Sequence, residues 1–110
     1  MAKKDAFLSI HRQGFVRVAG CTPRVHVGDP AANAEETLAL MREGEARHVD
    51  LMVFPELGIS AYAIDDLLLQ DALLEAAEDA LRRIVKASSG LGQVCVVGAP
   101  LRRNLSLIHI

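Results

Sequence analysis

Val49-Asp50-Leu51-Met52-Val53-Phe54-Pro55-Glu56-Leu57-Gly58-Ile59-Ser60-Ala61-Tyr62 is an apolar run of strand character that ends at a proline and is followed at once by a carboxylate. The proline holds Phe54 in extended geometry. The continuous apolar run from Leu51 to Phe54 suits a strand buried on both faces, as in a parallel sheet covered by helices. In an open α/β sheet, ligands gather beyond the carboxyl ends of the strands, so Glu56 stands where an acid can act as a base or a binding group. The same spacing also makes an ordinary surface turn. On spacing alone, Ser60 and Tyr62 are turn hydroxyls that satisfy local backbone groups.

Upstream, Phe15-Val16-Arg17-Val18-Ala19 reads as a strand, closed by Gly20 and the turn-prone Thr22-Pro23. The residues before it show no clear period. Asp29-Pro30 starts a helix, because aspartate caps free amides and proline suits the first helical position. This helix runs to Arg47 or His48 on a thin apolar face of Ala31, Ala34, Leu38 and Met41, with Gly44 costing about 1 kcal/mol relative to alanine.

Downstream, the pattern turns helical from Asp65 or Asp66 to Lys86. Leu67, Leu74, Leu81 and Val85 lie on one stripe, and Leu73, Ala77, Ala80 and Ile84 lie beside it. Asp65 and Asp66 are helix caps, and a break near Asp71 satisfies the same stripe. The acids Asp71, Glu75, Glu78 and Asp79 precede the bases Arg82, Arg83 and Lys86. That order complements the helix dipole and allows Glu78–Arg82 and Asp79–Arg83 pairs. A third strand, Val94-Cys95-Val96-Val97, precedes Gly98-Ala99-Pro100. Strand, helix, strand, helix, strand predicts a largely parallel sheet with right-handed crossovers.

The chain has 110 residues, half of them hydrophobic, enough for the core of about one small domain. Its 12 basic and 14 acidic residues form no basic block, and one tyrosine and three phenylalanines make no stacking platform, which argues against nucleic acid as a partner. A small polar substrate is easier to accommodate. No apolar run approaches the roughly 18 residues needed to cross a bilayer, and no signal peptide is read. Two cysteines, Cys21 and Cys95, are too few for a disulfide framework, so a reducing cytoplasm is the simpler location.

Other chemistry has weaker support. Gly90-x-Gly92 precedes a strand, whereas a dinucleotide fingerprint follows one. His11, His26, His48 and His109 have no i, i+4 pairing and no cysteine pair nearby, so no metal site is read. Cys95 lies within an apolar strand and reads as a small buried hydrophobe. Cys21 lies just past a strand, but no neighbouring histidine or lysine activates it.

Phe54-Pro55-Glu56-Leu57 with Ser60 and Tyr62 resembles the glutamate motif of the nitrilase, or carbon-nitrogen hydrolase, superfamily, and Val96-Val97-Gly98-Ala99-Pro100 resembles the end of its next core strand. Gly14-Phe15-Val16-Arg17-Val18-Ala19, Gly28-Asp29-Pro30-Ala31-Ala32-Asn33 and Asp66-Leu67-Leu68-Leu69-Gln70-Asp71 are similar to the amino-terminal glutaminase domain of glutamine-dependent NAD synthetases. The similarity covers residues 13 to 103. It implies an α/β fold, the front part of an αββα sandwich of the nitrilase type, with a catalytic set of glutamate, lysine and cysteine. In that family the thiolate attacks the amide of glutamine, the glutamate is general base and acid, and the lysine stabilises the tetrahedral intermediate. Such roles follow ordinary chemical logic: a nucleophile needs a base and a developing oxyanion needs a donor.

By the resemblance, Glu56 is the general base and Tyr62 lies near the glutamine pocket. The family's lysine and cysteine fall beyond the third strand, and neither Lys86 nor Cys95 matches them. The implied reading is a partial carbon-nitrogen hydrolase domain over 1–110, without glutaminase activity of its own. Its partners are glutamine and a separate synthetase domain that uses ATP and Mg to amidate deamido-NAD, in an enzyme that assembles as a homo-oligomer. This segment itself holds no cofactor. Leu105-Ser106-Leu107-Ile108-His109-Ile110 resembles the translation of a transposon mosaic-end adapter, which makes 105–110 a non-native tail. Two other readings remain open: a fragment of a stand-alone amidase, and a non-catalytic α/β interaction module.

Overall fold

The computed structural model describes residues 10–60, 71–103 and 106–109. After a short 3-10 turn at Ile10–Gln13, the elements run β1 (Val18–Gly20), α1 (Pro30–Ala46), β2 (Leu51–Val53), α2 (Asp71–Ser88), β3 (Val94–Val96), β4 (Pro100–Arg103) and β5 (Ser106–His109). Strands β1, β2 and β3 form a parallel sheet in that order, and β4 and β5 form a separate antiparallel pair. The alternation of parallel strands and helices is the one the sequence predicts.

The strands are shorter than expected at both ends. Phe15 and Val16 are exposed, and Val97 and Phe54 fall outside the ladders. Pairing continues slightly beyond the strands, with Leu51 donating to the Arg17 carbonyl at 3.2 Å and Phe54 to that of Val96 at 2.9 Å.

Helix α1 begins as its sequence dictates. The Asp29 carboxylate accepts from the Ala32 amide at 3.1 Å, and Pro30 occupies the first turn. The helix closes through His48, whose φ of 58° is left-handed. His48 donates to the Glu45 carbonyl at 3.1 Å and Val49 to that of Gly44 at 2.9 Å, so two final carbonyls are satisfied. The buried face differs from the expected one. Ala31 is exposed, while Asn33, Thr37 and Gly44 join Ala34, Leu38 and Met41 inside. Gly44 repays its poor helix propensity through close packing, because a Cβ there would collide with the Met52 thioether.

Both helices lie on one face of the sheet. Ala34, Leu38 and Met41 of α1 meet Ala77, Ala80 and Ile84 of α2 over Met52, Phe54, Ile59 and Ala99. Of the two stripes open to α2, the alanine-rich one is inside together with Leu74 of the other, while Val85 is exposed, because small side chains let the helices approach. Glu78 pairs with Arg82 as expected, at 2.5 Å. Asp79 also pairs with Arg82, at 3.3 Å, while Arg83 reaches across to Glu35 of α1. Leu67, Asp65 and Asp66 lie outside the described residues.

The other face of the sheet corrects the expectation of double burial. Successive residues alternate between faces, and the register aligns Val18 with Leu51 and Val94, and Gly20 with Val53 and Val96. The four valines of this face are 44 to 63% exposed. Among the described residues, helices cover one side of the sheet only.

At the amino end of β2, Asp50 clips the chain together. Its carboxylate accepts from the Arg17 amide at 2.7 Å and meets the His11 ring at 2.7 and 2.8 Å. The amide bond and then the His11 bond hold the Asp50 carboxyl below its ordinary value of 3.8. The ionised form is therefore favoured in the fold, and its contribution is complete above that value and fades as pH falls through the lowered one. The gap in melting temperature between the chain and its Asp50→Asn variant is expected to narrow as pH falls below 3.8. A constant gap down to about pH 2 would contradict this.

Candidate functional site

The carboxyl ends of the three parallel strands converge on the turn that follows β2. Phe54 leaves the strand bonded to Val96, and Pro55 then ends the ladder because it has no amide to donate. Two hydrogen-bonded turns follow, Gly58 donating to Pro55 at 3.0 Å and Ser60 to Leu57 at 3.2 Å. Leu57, Ile59 and Ser60 are buried, whereas Glu56 is exposed. The acid thus projects from a turn whose remaining side chains are anchored in protein.

Three neighbours fix this turn. Ile59 donates to the Gly98 carbonyl at 3.1 Å, and Gly28 donates to that of Ser60 at 3.2 Å. Gly98 packs so closely on the backbone of Pro55 and Glu56 that a Cβ would overlap the Glu56 carbonyl group. Asn33, only 2% exposed, donates from Nδ2 to the carbonyls of His26 and Ile59, both at 2.7 Å, and accepts from the His26 amide at 2.8 Å. A buried amide side chain with its bonding groups used in this way is a rigid tie.

Burial pushes the Cys21 thiol up, against a weaker opposing bond from Val53, and burial likewise raises that of Cys95. Lys86 is exposed near the end of α2. Tyr62 lies outside the described residues. His11 and His26 face the carboxylates of Asp50 and Glu36, and no group of three metal-ligating side chains occurs among the described residues. No helix among them is long and apolar enough to cross a membrane.

Asn33 and Gly98 were legible only as letters within family-like strings. Asn33 gives one further signal: it stands four and eight residues before Thr37 and Met41, and a polar residue on a buried stripe has to find partners.

No family model matches the chain. Against curated proteins, it is 53% identical over 98 residues to the glutamine-dependent NAD(+) synthetase of Mycobacterium tuberculosis, an alignment covering 89% of this chain and 14% of that protein. The chain is homologous to part of the glutamine-dependent NAD(+) synthetases. It spans about one-seventh of the length of such curated relatives. Among solved structures, the synthetase of Cytophaga hutchinsonii superposes with a TM-score of 0.78 at 23% identity, over 86% of this chain and 16% of that one. The synthetase of Acinetobacter baumannii, solved with ADP, gives 0.65 at 24% identity, over 79% and 16%. At these identities the two structures speak for the fold, which they share with this chain.

Proposed function

We propose that this chain is the front part of the glutaminase unit of a glutamine-dependent NAD synthetase, with Glu56 as its general base. The observation that carries the reading is the exposed Glu56 on a buried, cross-tied turn at the ends of three parallel strands, in a chain homologous to those enzymes. Glu56 takes the proton of a cysteine thiol as the sulfur attacks the side-chain amide carbon of glutamine, and returns it to the departing ammonia. Water then hydrolyses the thioester. A lysine stabilises the tetrahedral oxyanion, and Tyr62 lines the glutamine pocket. In this reading the lysine and the cysteine are supplied from beyond this segment, because Lys86, near the end of α2, and Cys95, in β3, do not match the family's motifs. The ammonia serves a synthetase domain that uses ATP and Mg.

In this reading the helical layer and parallel sheet are half of an αββα sandwich. The exposed valine face supports it, because a second sheet packed there would supply the missing cover. A free-standing interaction module would have to leave that face in water. A stand-alone amidase is less favoured, since synthetases align at 53% identity over 89% of this chain.

Glu56→Gln in the complete enzyme is expected to lower glutamine-dependent NAD formation by about 10²–10⁴-fold, the usual contribution of a general base, while synthesis from added ammonia persists. Equal loss of both activities, or of neither, would overturn the assignment. The 110-residue chain alone is expected to release no ammonia from glutamine.

A further inference from the structure

We infer that Asn33 is a positioning residue for Glu56, fixing the turn that carries the acid against the amino end of α1. This rests on the reading of Glu56 as the general base. The geometry is specific. Asn33 lies in the first turns of α1, where Asp29 caps the helix, so its backbone is set by α1. Its side chain spans two loops that do not touch in sequence, at His26 after β1 and at Ile59 after β2.

The bond to Ile59 falls three residues beyond Glu56, inside the same pair of turns. It is reinforced on one side by Gly28 bonding Ser60 and on the other by Gly98 accepting from Ile59. Serine lacks the reach and the second donor proton, and aspartate has the shape but, when ionised, no proton for either carbonyl.

The test is hydrogen exchange read by mass spectrometry on the dilute 110-residue chain, following peptides that span 26–29 and 54–60. Asn33→Ser is expected to accelerate exchange in both peptides by about tenfold relative to those of β3. Ile84→Val, a core change on α2, serves as the control for a general loss of stability. Asn33→Asp should exchange fast near neutral pH and approach the unsubstituted chain, measured at the same pH, as acid restores one donor proton. Because Asn33→Asp regains that donor in acid, it keeps the comparison available if Asn33→Ser does not fold. Unchanged exchange in both peptides, acceleration matched by Ile84→Val, or no recovery of Asn33→Asp in acid would each overturn the inference. Glutamine takes no part in this measurement, so the positioning role and the base role can fail separately: the latter falls only with the Glu56→Gln activities.

Discussion

Gly98→Ala is expected to destabilise the chain by about 3 kcal/mol and to push the Glu56 turn off the strand ends. The added methyl would enter space held by the Glu56 carbonyl group. A clash with the tip of a flexible side chain relaxes by a rotamer change, but a peptide group can move only with its neighbours. Here those neighbours are tied: Ile59 bonds Gly98 itself, and Leu57, Ile59 and Ser60 are buried. The strain therefore has to displace either the end of β3 or the turn.

Gly20→Ala is the matched comparison, since nothing lies within 4 Å of its added carbon. That exchange is expected to change stability by less than about 1 kcal/mol, with a stabilising sign from the reduced freedom of the unfolded chain. Denaturant midpoints of the two variants check the contrast, and equal midpoints would contradict the packing described. In a complete glutaminase, Gly98→Ala is further expected to lower glutamine turnover more than ammonia-dependent synthesis.

How much of this was legible in the sequence depends on how local the causes are. The start of α1 follows from Asp29 and Pro30, two adjacent residues acting on their own backbone, and the structure begins the helix there. The strand after Val49 and the site of its termination follow from an apolar run meeting a proline. The length of β1 was not legible, because a strand extends only as far as its partner: the ladder covers three residues opposite Leu51, Met52 and Val53, whatever the apolarity of Phe15 and Val16. The buried stripe of α2 depended on its rotation against α1, which two adjacent apolar stripes leave open.

The site divides in the same way. Glu56 stood out because its signal is contiguous, apolar strand, proline, acid. Asn33 did not, because its use depends on Ile59, 26 positions away in sequence and brought near only by folding. Gly98 is another instance, since its lack of a side chain matters only against the Glu56 peptide. The proposed base leaves a local mark, whereas the residues that hold its turn in place act through tertiary contacts.

The exposed sheet face yields the other large effect, one whose sign depends on what surrounds the chain. Val18, Val53, Val94 and Val96 share that face and remain largely in water. A contiguous apolar sheet surface of this kind drives association, so the isolated chain is expected to self-associate at micromolar concentration. Replacing Val18 and Val94 by threonine keeps the β-branched shape that strands favour and substitutes a hydroxyl for a methyl. In the isolated chain the double exchange is expected to shift the protein toward monomer in size-exclusion chromatography, with folding stability changed by only about 0.5 kcal/mol per site, as for ordinary surface positions. In the complete enzyme proposed above, the same hydroxyls would be enclosed between two sheets. Each would then cost about 1–3 kcal/mol if it found no partner, and the melting temperature should fall. A chain that is already monomeric, with a melt indifferent to the exchange in both settings, would instead describe a self-sufficient module whose valine face was never meant to be covered.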